Sequence, residues 1–145
     1  MVVIGSVASL ASVATSLVPL LDVFEMERSQ SAIPITSISY ISMWLNYTLW
    51  AIYGLFIGDC TAVTMTNLWG SALCTYYCYK VYRYVKFVER KEVCLNYLIG
   101  FSLFFLAGYY SFTSTHPKEI KVSRLGYVAS VFSVLMNGSV LSQRS

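Results

Sequence analysis

Charge is absent from five stretches of this chain: Met1 to Leu21, Ser29 to Gly58, Cys60 to Tyr79, Val93 to Pro117 and Leu125 to Gln143. At ~20 residues per crossing, each is about long enough to span a bilayer as a helix. A helix in water would carry polar residues along its outer face every turn or so. Five uncharged runs in succession therefore predict that the solvent around this chain is lipid. The pattern places a first span at Val2 to Val23, with Pro19 near its end. A short charged loop holding Asp22, Glu25, Glu27 and Arg28 follows. A second span starts near Pro34, a residue tolerated where a helix begins, and ends before Gly58-Asp59. That very short turn forces the third span, Thr61 to Tyr79, to lie antiparallel beside the second. A fourth span covers Val93 to Thr113 and a fifth Leu125 to Gln143. The expected fold is an all-α polytopic membrane protein.

Composition sharpens this picture. Only 12% of residues are charged and 57% are hydrophobic, far from the ~25% charge of soluble domains. The net charge of +3 does not indicate nucleic acid, because the basic residues cluster beside the spans and form no binding stripe. Too little sequence lies outside the spans for a separate soluble domain. The small residues of the first span, from Ser6 to Ser16, favour close helix packing in lipid. No Lys or Arg precedes that apolar run, so it reads as a retained span and not a signal peptide. The exit of the third span interleaves Tyr76, Tyr77, Tyr79, Tyr82 and Tyr84 with Lys80, Arg83 and Lys86, as at a membrane–water interface. The loop after span three holds five Lys and Arg residues and the loop after span four holds three. By the positive-inside rule, the N-terminus is outside and the C-terminus cytoplasmic.

Cys60, Cys74, Cys78 and Cys94 do not form a disulfide framework, and with His116 in a distant loop they provide no metal site. No cofactor is expected. Two Asn-x-Ser/Thr matches, at Asn46 and Asn137, fall inside spans and are not expected to be glycosylated. The segment Val7 to Val13 resembles Val128 to Val134, a weak internal repeat relating spans five and one.

Polar side chains at bilayer depth usually face the bundle interior or an aqueous cavity. Asn46, Trp50 and Tyr53 recur at i, i+4 and i+7 on one helix face. An amide, an indole and a phenol could meet the hydroxyls and C–H faces of a sugar; equally, they could be interhelical glue. A second stripe, Asn67, Gly70 or Ser71, Cys74 and Cys78, is small and polar. It fits either close packing or a cavity wall with Asn67 pointing inward. No Asp, Glu, Lys or Arg lies well inside a span, which argues for passive movement of a neutral solute over ion-driven pumping. No Ser–His, Cys–His or paired-carboxylate set is placed for catalysis, so an enzyme is not expected.

The block Trp50-Ala51-Ile52-Tyr53-Gly54-Leu55, then Gly58-Asp59, then Asn67-Leu68-Trp69-Gly70, then Tyr77 resembles the SWEET sugar transporters (the MtN3/saliva family). Ile33-Pro34 and the span-five segment from Leu125-Gly126 to Leu141 add to the resemblance, which covers nearly the whole chain. It implies a three-helix bundle over 1–91, a linker helix and loop over 92–119, and the first helix of a second repeat over 120–145. The family's substrate sites lie near the bilayer midplane where repeats meet. Carried over, Trp50 would stack on the sugar and Asn67 would hydrogen-bond its hydroxyls. Ser133, Met136 and Val13 match further pocket positions, and Pro19 and Pro34 match helix-end hinges.

The resemblance has departures. Family members have seven spans, so this chain is expected to be truncated, without the second pocket Trp and Asn. Val140 stands at the span-five hinge proline, with Asn137 in place of a Tyr. The implied function is facilitative, uncoupled uniport of mono- or disaccharides by alternating access, as a homo- or hetero-oligomer or within a longer chain. The alternative is a non-transporting short form or regulatory subunit that associates with full-length transporters. Small three-helix-repeat amino-acid exporters carry a Pro-Gln pair that this chain lacks. The plasma membrane is the expected location, with an internal membrane as the alternative.

Overall fold

The computed structural model describes residues 2–34, 36–58 and 61–143, with side chains undescribed at some of these positions. Helices α1 (Val2–Leu17) and α2 (Pro19–Ser29) are followed by α3 (Thr36–Ile57) and α4 (Thr61–Tyr84), then a single 3-10 turn at Phe87–Glu89, α5 (Arg90–Thr113) and α6 (Lys118–Gln143). Among the described residues the architecture is all-α, with one isolated bridge between Ala32 and Val85.

The predicted first span is split in two. Pro19 has no N–H to give the Thr15 carbonyl, and the chain answers with tighter bonds, Val18 N–H to Thr15 O at 3.3 Å and Leu21 N–H to Val18 O at 3.2 Å. Val18 keeps helical dihedrals, so Pro19 starts a new helix at its tolerated first position. The expected charged loop is thereby corrected: Asp22, Glu25, Glu27 and Arg28 ride on α2. That helix buries Pro19, Val23 and Met26 and leaves its charges outward. The reversal comes later, at Gln30, which adopts a left-handed φ of 52° and donates its N–H to Met26 O.

Other helices also overrun the uncharged stretches. α4 continues to Tyr84, α5 begins at Arg90 and α6 at Lys118. Loss of charge marks where a chain enters lipid, whereas helix ends are set by hydrogen bonding, and polar margins extend helices into the interface. By length, hydropathy and charge together, one segment of the described residues, Phe87–Ser111, is apolar enough to cross a membrane, with a mean hydropathy of 1.5. The five-span expectation rested on absent charge alone. α3 and α4 are equally uncharged through their middles, but Ser, Thr, Tyr and Asn dilute their hydropathy.

α3 is the hub of the fold, packing on α4, α5 and α6, while α1 and α2 pack on α4. The α3–α4 seam runs the length of both helices, as the short turn predicts. Tyr40 meets Tyr77 with ring centroids 5.5 Å apart, Thr48 Oγ1 and Ser71 Oγ share a hydrogen bond of 3.0 Å, and Gly54 abuts Thr64. A Cβ on Gly70 would lie 2.6 Å from the Tyr47 ring, so the absent side chain is what lets the backbones approach. Trp44 packs edge-on against Phe101 and Phe104 of α5, at 5.0 and 5.3 Å. Asn96 Nδ2 donates to the buried Ser37 Oγ at 2.9 Å, adding a polar tie between α5 and α3.

Candidate functional site

The α3–α4 contacts step in opposite directions along the two helices, as an antiparallel pair requires. On that register Asn67 of α4 falls opposite Ala51 and Trp50 of α3, between the Gly54–Thr64 and Thr48–Ser71 contacts. The two residues singled out for sugar contact therefore lie at one level on neighbouring helices.

Asn46, Trp50 and Tyr53 occupy the flank of α3 that turns from α4 toward α6. Asn46 is buried at 8% exposure. The Trp50 and Tyr53 rings meet edge-to-face at 5.2 Å. Both are half-buried and pack beside a cluster of Leu49, Leu125 and Ala129. A Cβ on Gly126 would come 3.3 Å from the Tyr53 ring, so α6 lies against this stripe. Asn67 is half-buried, and its Nδ2 donates to the Val63 carbonyl of its own helix at 2.7 Å. This back-bond occupies one side of the amide; a polar ligand would have to compete with it or use the carbonyl end.

The rest of the α4 stripe is committed to packing. Gly70 and Ser71 contact α3. Cys74 is fully buried within the main cluster beside Tyr40, Tyr47 and Tyr77. Cys78 is part of the packing there, and its carbonyl accepts the Tyr97 hydroxyl at 2.6 Å. Cys74, Cys78 and Cys94 are free thiols, and Cys60 lies outside the described residues. Val13 is half-buried on α1. Ser133 and Met136 lie in α6, but their side chains, like that of Asn137, are outside the described set.

The two hinge candidates differ. Pro19 is buried at the break between α1 and α2. Pro34 sits in the turn before α3, where its carbonyl accepts both the N–H and the Oγ of Ser37, at 3.0 and 2.6 Å. Between these prolines the end of the bundle is cross-tied. Lys80 of α4 pairs with Glu27 of α2, and Tyr40 donates to Asp22 at 3.4 Å. The Lys80 ammonium is held above its ordinary range chiefly by its hydrogen bond to Glu27.

The sequence reading overlooked three residues that tie helices together: Asn96, Tyr97 and Thr48, the last of which bonds Ser71 of the anticipated α4 stripe. The signal for each was the one used for Asn46, a polar side chain within an uncharged run. Among the described residues, no group of three His, Cys, Asp or Glu side chains is placed to hold a metal ion.

In this arrangement α4 packs on both α3 and α1, and α3 in turn packs on α5 and α6. The profile of the family described as "Sugar efflux transporter for intercellular exchange" matches residues 2–92. This is more than half of the chain, and the chain belongs to that family; it is an integral membrane protein. It is similar to the sugar transporter SWEET1 of Danio rerio, at 32% identity over 123 residues, which cover 85% of this chain and 55% of that protein. The chain thus spans about half the length of this relative.

Proposed function

We propose that this chain contributes one half of a sugar-translocation pathway, in which neutral mono- or disaccharides move downhill by alternating access. The observation that carries the reading is the placement of Trp50 and Asn67 at one level on paired antiparallel helices, in a chain of the sugar efflux transporter family. An indole offers a flat apolar surface to the C–H face of a sugar ring, and an amide both donates and accepts toward hydroxyls. Asn46, Tyr53 and Val13 would extend the wall, with Ser133 and Met136 completing it from α6. The resemblance calls for a second Trp and Asn facing the first pair. A second copy, an associated relative or further sequence would supply them, with the end bearing Lys80 and Arg83 toward the cytoplasm of the plasma membrane.

The test is radiolabelled glucose uptake in yeast lacking hexose carriers, normalised to the amount of chain in the membrane. Uptake that is present in the wild type and lost in Trp50→Ala and in Asn67→Ala supports the reading. Uptake that survives both substitutions removes these residues from the pathway. Sucrose as a second probe separates the two sugar classes.

A further inference from the structure

A groove of about 230 Å³ opens between α3, α4 and α5, away from Trp50 and Asn67. Trp44, Cys78, Tyr79, Tyr82, Tyr97 and Phe101 form most of its wall. Of the hydroxyls in its wall, that of Tyr97 is spent on the Cys78 carbonyl at 2.6 Å and that of Thr75 on the Ser71 carbonyl at 2.9 Å. What remains is an apolar slot, open along a flank where Leu98 and Phe105 of α5 are also exposed. In an integral membrane protein that flank meets lipid.

The slot has a charged mouth. Arg83 Nη1 donates to the Tyr79 hydroxyl at 3.3 Å. The Arg90 guanidinium stands 5.3 Å from the Tyr82 ring centroid. Both tyrosines that frame the opening therefore carry a cation, and among the described residues Arg90 Nε is buried without a hydrogen-bond partner. In the segment from Arg83 to Glu92 that joins α4 to α5, Arg83, Lys86, Arg90 and Lys91 outnumber the carboxylates Glu89 and Glu92, while Glu27 is engaged by Lys80. From Thr75 to Tyr82 the wall covers about 10 Å of helix at 1.5 Å per residue.

We propose that this groove binds an anionic phospholipid, with an acyl chain in the slot and the phosphate between Arg83 and Arg90. Inside the wall the Tyr97 and Thr75 hydroxyls are both given to backbone carbonyls, which suits an acyl chain better than a sugar, and the positive mouth lies where a lipid headgroup sits. Guanidinium groups suit phosphate through their paired donors.

The test is native mass spectrometry of the full 145-residue chain released from detergent containing equal amounts of palmitoyl-oleoyl phosphatidylserine and phosphatidylcholine. Each interfacial cation contributes on the order of a fivefold preference for anionic lipid, so phosphatidylserine should be retained at least about fivefold over phosphatidylcholine. The double variant Arg83→Gln/Arg90→Gln should lose that preference, and Cys78→Trp, which fills the slot, should retain less of both lipids. Equal retention by the wild type overturns the proposal without recourse to any variant. So does an unchanged preference in the double variant, or displacement of the lipid by millimolar inorganic phosphate, which would place the headgroup alone in the site.

Discussion

Tyr77, with no exposed surface, reaches from α4 to donate its hydroxyl to the carbonyl of Ser16 on α1 at 2.7 Å. The acceptor lies one residue beyond the Thr15 carbonyl that Pro19 deprives of its usual partner. The bond therefore pins α1 to α4 just where the helix breaks. Tyr77→Phe keeps the ring and removes the hydroxyl. It should cost about 1 kcal/mol, the net worth of one buried neutral hydrogen bond, seen as a melting temperature a few degrees lower in detergent. An unchanged melting temperature would mean that ring packing alone holds α1 in place.

The α3–α4 seam makes a second, sharper prediction. Gly70→Ala puts a methyl 2.6 Å from the Tyr47 ring, and that ring is itself 4% exposed, so it has little room to retreat. Overpacking of this kind typically costs about 1–3 kcal/mol. Tyr47→Leu introduced into the Gly70→Ala background should return part of that loss. The two substitutions should accordingly be non-additive in a double-mutant cycle. Additive effects would show that the helices separate without strain.

Much of this arrangement is legible in the sequence, for identifiable reasons. The Gly58-Asp59 turn is too short to let α3 and α4 do anything but pair. The i, i+4, i+7 spacing puts Asn46, Trp50 and Tyr53 on one face whatever they contact. What escaped was decided between helices. Whether Ser71 and Cys74 faced a cavity or a neighbour depended on Thr48 and Tyr47 across the seam, which spacing along one helix does not reveal. Pro19 is visible as a breaker, but helix resumes beyond it because Val23 and Met26 find an apolar surface on α4. The charges of α2 hid that helix, since charge reports on lipid and not on hydrogen bonding.

The Glu27–Lys80 pair should give a signature at alkaline pH. Its hydrogen bond to Glu27 raises Lys80 above its ordinary value of 10.5, so folding favours the protonated ammonium. A group whose pKa is raised by folding contributes fully below its unfolded pKa and loses that contribution as pH rises through the folded value. The melting-temperature gap between the wild type and Lys80→Met should thus hold steady from about pH 7 to pH 9 and close only at strongly alkaline pH. The pair is partly buried at the rim of the bundle, where solvent still reaches Glu27, so salt should screen it in part and the gap should also shrink at high ionic strength. A gap insensitive to both pH and salt would assign the effect to the packing of the lysine stem.

Pro19→Ala separates the shape of the bundle from its motion. Alanine restores an N–H for the Thr15 carbonyl and carries a helix propensity about 3 kcal/mol better than proline within a helix interior. α1 and α2 should then merge into one straighter helix, with the melting temperature unchanged or raised. Some of the gain is offset because Pro19 is itself buried. If alternating access flexes α1 against α4 at this break, sugar uptake normalised to membrane level should fall several-fold in a chain that is no less stable. That combination cannot arise from misfolding, which would lower stability and uptake together. Undiminished uptake in a stabilised Pro19→Ala chain would remove this proline from the moving parts and leave the α1–α2 break as a packing solution only.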